Sequence, residues 1–479
     1  MATQRINFGE WMPDQPGLSG ALVEAKNIVS QAVGYGPLKT TAVFSEEAGE
    51  NLKTLVTGKE PDGDTKLFAA SDAKIYEVSS IGNLTDVSKT GGYDGQERFR
   101  FTQFGNTIIG TNYDAVLQSY VLGTSTQFDD LSATAPVAKY VTVVRDFVVA
   151  AFINEDPTVY PYRVKWSAIN DETDWTVNVN TQSDYQDIPD GGQIVGVRGG
   201  EFGLIFLEKS ISRMSYVGTP FIFQFDNISR NKGCSAAGSI AQVQGICFFL
   251  SEDGFYMCDG QQIQAIGSEK IDRWFYDIAD EALFSTMSAS VDPVRKLVIW
   301  NFATVNANRE VLIYNFKTQK WTHGDTTADF ISDASTGSLT LEQLDSISSS
   351  IDSLPASLDS ILWIGGKYFL GGTIGKQVVT FNGPPASARI ITGDIDAGGR
   401  SIVTLARPHV DNGSANVSVA SRTMLDQDIN FTTPVSADSE NRVSLRSNGR
   451  YHRLEINPTG DNWKTAIAVD VDIIGQGGR

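Results

Sequence analysis

The chain is poor in cysteine, histidine and positive charge. Its three cysteines, Cys234, Cys247 and Cys258, are an odd number, and their spacings fit no zinc or redox motif. That excludes a disulfide framework. Cys247 lies in the apolar run Gly-Ile-Cys-Phe-Phe-Leu, so the cysteines read as free, mostly buried thiols of a protein made in a reducing cytoplasm. The three histidines, His323, His409 and His452, have no His or Cys within four residues. They read as surface or satisfied groups, and no metal or cofactor is expected. Lys and Arg number 38 against 57 Asp and Glu, a formal charge of −19, which argues against a basic face that clamps duplex phosphates. No run of 18 apolar residues offers a membrane-spanning helix. The N-terminal MATQRINFGEWMPDQPGL has no apolar stretch of the kind a signal peptide carries.

Catalytic signatures are also missing. There is no G-x-S-x-G, Walker A or G-x-G-x-x-G. Ser251-Glu252-Asp253-Gly254 is similar to a fragment of a sialidase Asp box, but it lacks the spacing and the following Thr-Trp, and it reads as a turn. Pro61-Asp62-Gly63-Asp64 is not followed by the bidentate acid of a calcium loop. Arginines and aromatics read as scattered rather than interleaved on one strand, which argues against a base-stacking platform. The expected class is non-enzymatic.

What is present is β-sheet composition: 45 Gly, 25 Phe and 15 Tyr in 479 residues, 41% of them hydrophobic and 20% charged. Seven apolar runs recur, each followed by a turn and a second strand: KLFAAS then KIYEVS, TIIGTN then VLQSYV, FVVAAF then YRVKWS, GLIFLE then ISRMSY, CFFLS then GFYMC, KLVIWN then VLIYNF, and KYFLGG then QVVTFNG. Most recur about every 40–50 residues, the length of a four-stranded propeller blade. Within 240–267, Asp253-Gly254 and Asp259-Gly260 predict two hairpin turns in succession, and Gly105-Asn106 predicts another. The expectation is an all-β chain: a six- or seven-bladed β-propeller over 36–385, an N-terminal arm over 1–35, and a C-terminal β-sandwich over 386–479. Sandwich or barrel is the competing fold for the repeats. LKTTAVF at 38–44 is a strand able to close the ring against the last blade. The arm is expected to tie to a partner subunit or to pack along the propeller. Helical periodicity is confined to 270–285 and 338–361.

The longest gap between repeats holds an acidic, Ser/Leu-rich insertion at 326–360. From Trp321 to Gly366 there is no Lys or Arg, while Asp325, Asp329, Asp333, Glu342, Asp345, Asp352 and Asp359 are all acidic. These seven are candidates for a lumen wall or a partner contact, and a solvated loop accounts for them equally well. In the last run, KTAIAVDVDII, Ile467, Val469, Val471 and Ile473 are expected to share one buried face.

The stretches 230–275, 350–366 and 449–475 resemble segments of the tail-hub or tail-nozzle proteins of short-tailed bacteriophages, the packaged-DNA stabilisation family. The resemblance implies a propeller-based virion subunit, made in the bacterial host cytoplasm and assembled into a hexameric ring below portal and adaptor. Further implied partners are tail fibre or tailspike proteins. Double-stranded DNA would pass through the ring without specific binding, and the negative charge fits a wall that must not hold phosphates. A carbohydrate-binding or adhesin propeller, or a divergent glycan hydrolase, are the alternatives.

Overall fold

The computed structural model describes residues 2–60, 63–95, 97–335, 350 and 369–476. Strands dominate them, and the one α-helix among the described residues is the seven-residue Asp272–Ile278. All seven predicted strand pairs form, each as the second and third strands of an antiparallel sheet of four. Six of these sheets are self-contained blades: blade 1 (54–86), blade 2 (100–130), blade 3 (137–187), blade 4 (194–229), blade 5 (241–265) and blade 7 (330–380). Blade 6 (288–326) has the same strand order, but its outer strand runs on into a larger sheet. Blade 7 takes its fourth strand from Ala42–Val43, which pairs with Val379 and Thr380. The ring is thus closed by the segment singled out for that role. Successive side chains point to opposite faces of each blade, so neighbouring blades share cores, as where Phe68 and Ile75 of blade 1 meet Phe99 and Ile108 of blade 2.

Turn chemistry follows the sequence at Gly105-Asn106 and departs from it in blade 5, where Cys258 faces Ile263 and Asp259-Gly260 opens a four-residue loop. Phe104 faces Thr107, leaving Gly105-Asn106 as a two-residue loop with Gly105 at φ 55°. In blade 5, however, Ser251 faces Gly254, so the loop is Glu252-Asp253 and the glycine opens the next strand at φ 142°. A side chain there would collide with the Asp272 carboxylate.

Past residue 386 the hydrogen bonds draw one antiparallel sheet, and this pairing does not confirm the expected sandwich of two. Val443–Thr459 is flanked on one edge by Arg389–Ile391 and Ile395–Asp411, and on the other by Ser414–Arg422. Thr465–Gly475 continues beyond Ile395–Asp411. The reason is strand length: two strands of 17 residues each have room for successive partners along one edge. Val469 and Val471 are buried as expected. Ile467 is 39% exposed, because the register slips between His409 and Val410 opposite it and the bulge turns it outward.

The arm packs back on its own chain. Ala2–Asn7 pairs with Thr465–Gly475, Glu24–Lys26 bridges Arg389–Ile391 and His323 of blade 6, and Tyr35 pairs with Ala466. The arm's Phe8 and Trp11, blade residues Phe248 and Trp300, and C-terminal Val417 and Ile456 all lie in one continuous core. The acidic insertion begins later than expected. Phe330–Ala334 is the first strand of blade 7, with Ala334 opposite Phe369. The helical period at 338–361, apart from Ser350, and the acids Glu342, Asp345, Asp352 and Asp359 lie outside the described residues.

Candidate functional site

The first strand of every blade faces the propeller axis, and these strands enclose a cavity of about 410 Å³. Alternation sets its walls. In blade 2 the run Arg98-Phe99-Arg100-Phe101-Thr102 buries Phe99 completely between blades and sends Arg98 and Arg100 to the axis. Arginine and phenylalanine are therefore interleaved here, contrary to the expectation from sequence. Because Phe99 packs into the core, the pattern does not make an exposed stacking platform. Arg198 comes from the end of the first strand of blade 4, and Asp333 from blade 7.

Arg98 crosses the axis at the start of these strands. Its Nη1 donates to the Met287 carbonyl at 3.4 Å and its guanidinium stands 5.3 Å from the Phe330 ring. Arg100 donates to the carbonyls of Lys139 (3.2 Å) and Arg98 (3.4 Å), lies over the Tyr140 ring, and has Glu97 at 3.8 Å. Arg198 donates to the carbonyls of Val197 (3.0 Å) and Ile240 (2.5 Å). Burial, then repulsion from Arg100 and Arg198, pushes the Arg98 guanidinium down to about 9. Burial likewise lowers Arg198. Asp333 opens onto the cavity but is ringed by protein. That depth raises its carboxyl above the ordinary value, with Arg198 pulling the other way. Beyond Thr102, Thr142 and Gln242 the cavity continues into a wider mouth edged by Arg145 and Glu201.

The other two described acids of the predicted set go elsewhere. Asp325 ends the outer strand of blade 6 and holds the arm, with Lys26 Nζ at 2.8 Å and Asn27 Nδ2 at 3.2 Å. Asp329 accepts the Gly375 backbone N–H at 2.7 Å within blade 7. The structure therefore does not bring Asp325, Asp329 and Asp333 together as one wall.

All three histidines are satisfied, as expected. His323 is buried between two carboxylates, Glu24 of the arm at 2.8 Å and Glu310 of blade 6 at 3.2 Å. Trp11 stacks on its ring with centroids 4.7 Å apart. Burial alone would lower its pKa, but the hydrogen bonds and charges of Glu24 and Glu310 outweigh it and raise it. His409 pairs with Asp470, whose carboxyl is held down at about 2, chiefly by a hydrogen bond from Arg5. His452 is fully buried between Ser401 Oγ and Ser421 Oγ, each at 2.7 Å, and burial lowers its pKa. A serine–histidine contact is thus present, but its second ring nitrogen faces another hydroxyl rather than a carboxylate, and no solvent reaches it. The three cysteines are free and buried. Among the described residues no group of His, Cys, Asp and Glu is arranged to hold a metal ion.

No protein-family model matches the chain, and no curated protein matches it. Among solved structures, it is similar to the WD40 domain of Neurospora crassa Pan2 (TM-score 0.40, 6% identity, 72% of this chain and 96% of that one). It is also similar to the WD40 domain of Toxoplasma gondii coronin (TM-score 0.38, 8% identity, 73% and 87%). A third similarity is to a puromycin hydrolase S511A mutant complexed with PGG (TM-score 0.38, 8% identity), where the match covers 62% of this chain but only 53% of the hydrolase. The propeller assignment rests on the chain's own sheet topology.

Proposed function

We propose that the chain is a structural, non-enzymatic subunit of a short-tailed phage tail, one of six in a ring below portal and adaptor that conducts and retains packaged DNA. The observation that supports this reading is where the resembling stretches lie. The segment 230–275 runs through blade 5 into the helix Asp272–Ile278, and 449–475 forms the last two long strands. They are about 175 residues apart in sequence, yet Phe248, Phe255, Ile271 and Phe275 share one core with Leu454, Ile456, Val469 and Val471. Two of the three resembling stretches therefore fall on one packed unit, while the third, 350–366, lies outside the described residues apart from Ser350.

Charge placement is consistent with a passive conduit. The chain carries −19, and three of its arginines, Arg98, Arg100 and Arg198, face the axial cavity of the subunit, out of reach of a duplex. The sealed Ser401–His452 pair gives no support to a hydrolase. Mass spectrometry of purified particles tests the reading. The chain is expected at several copies per virion, and its absence from particles, or glycan turnover abolished by a single substitution, would refute it.

A further inference from the structure

We propose that the axial cavity is a binding site for a small multivalent oxyanion of the phosphate class, held by the guanidinium groups of Arg98, Arg100 and Arg198. The inference is independent of the tail reading, because the cavity is complete within one chain.

The argument begins with charge balance. Five charged residues line the cavity: Lys53, Arg98, Arg100, Arg198 and Asp333. Lys53 is paired outward with Asp72. Glu97, the carboxylate nearest Arg100, is already engaged by Lys139 at 2.6 Å. Among the described residues no carboxylate forms an ion pair within 4 Å of Arg98 or Arg198, and their hydrogen-bond partners are neutral carbonyls. Arg98 and Arg198 therefore have no carboxylate partner within 4 Å among the described residues, Arg100 shares Glu97 with Lys139, and Asp333 is the one acid lining the cavity with them. Like charges gathered in a protein interior repel strongly unless a counter-charge joins them. Burial lowers the Arg98 pKa most, and repulsion from Arg100 and Arg198 adds to it.

Shape and chemistry agree with an oxyanion. A guanidinium is a planar fork of N–H donors matched to the edge of a phosphate, and it keeps unused donors when only carbonyls engage it. Thr102, Thr142 and Gln242 add neutral donors at the point where the cavity meets its mouth. A volume of about 410 Å³ exceeds what one phosphate fills, leaving room for a diphosphate or for a phosphate with an organic group attached. The mouth gives the ligand an entry path.

The test is calorimetric titration of the full-length chain with three probes: inorganic phosphate, inorganic pyrophosphate and ADP, each with sodium chloride at matched ionic strength as control. Saturable binding near one per chain is expected for at least one probe, with a rise in melting temperature that chloride does not produce. Pyrophosphate binding without ADP binding identifies an inorganic ligand, and the reverse an organic phosphate. The double variant Arg98→Gln, Arg198→Gln should bind at least tenfold more weakly. Asp333→Asn, which removes only the opposing charge, should bind several-fold more tightly. If the double variant does not fold, Arg198→Lys, which keeps the charge but loses the fork, should still weaken binding. No saturable binding of any probe, equal binding by the folded arginine variants, or no gain in Asp333→Asn would overturn the proposal.

Discussion

Replacing His323 with leucine tests how the arm is fastened to the propeller. The imidazole bridges Glu24 and Glu310 at 2.8 and 3.2 Å, with a side chain only 5% exposed. Leucine fills a similar volume but leaves two half-buried carboxylates facing each other, with the imidazole gone and Lys26 and Arg389 as the remaining nearby cations. Removing one partner of a buried charged set costs about 3–5 kcal/mol, a large part of the roughly 5–15 kcal/mol that holds a folded protein together. The pH dependence is more diagnostic. His323 is raised in the folded state, so native protein holds a proton there that the unfolded chain releases near 6.5. The bridge's contribution is therefore complete below about pH 6.5 and is lost as pH rises through the raised folded value. Within that window each pH unit removes about 1.4 kcal/mol from wild type, and the leucine variant lacks this slope. Urea denaturation of both proteins at pH 6, 7.5 and 9 reads the difference directly. Titrating groups that do not contact His323 are common to both proteins and cancel. The stability gap should be widest at pH 6 and shrink by pH 9. A gap independent of pH would refute the charged bridge, leaving Trp11 and Trp274 packed against a neutral ring.

Three further outcomes follow from particular groups. Burial pushes the Asp272 carboxyl up to about 7, so folding disfavours its charged form and stability falls as pH rises from about 4 toward 7. Asp272→Asn should therefore stabilise the protein at pH 8 by on the order of 2–4 kcal/mol and hardly at all below pH 4, as thermal melts would show. Cys234 and Cys247 are sealed in the core with thiols pushed up to about 11 and 12, so native protein should resist a thiol reagent that labels all three cysteines in urea. A fluorescence titration with duplex DNA at 150 mM salt should show no micromolar binding. Tight, salt-sensitive binding would point to a basic band on the outer surface.

The blades were legible because each central pair is an apolar run, a turn and a second run, and Ala42–Val43 was legible within LKTTAVF as a strand able to close the ring. Local pattern fails where partners are remote. Glu24–Lys26 is three residues long and pairs with segments some 300 residues away, so nothing nearby announces it. The strands past 386 were recognisable as strands, but whether they form one sheet or two depends on how far the 17-residue strands extend. Asp325, Asp329 and Asp333 were grouped by proximity in sequence and by a missing basic residue. Alternation and a change of blade separate them in space. The arginine cluster left a signal that went unread, the Arg-Phe-Arg-Phe-Thr alternation at 98–102. Arg198 could not have been added to it without the ring, which brings blades 2 and 4 to a common axis.

The central claim, a ring-forming tail subunit, is tested most directly by mass photometry of the purified chain combined with negative-stain micrographs. The account predicts a closed six-fold ring near 312 kDa, six times the 52.0 kDa chain. A species that stays at the mass of one chain across micromolar concentrations, with no rings on the grid, would contradict it.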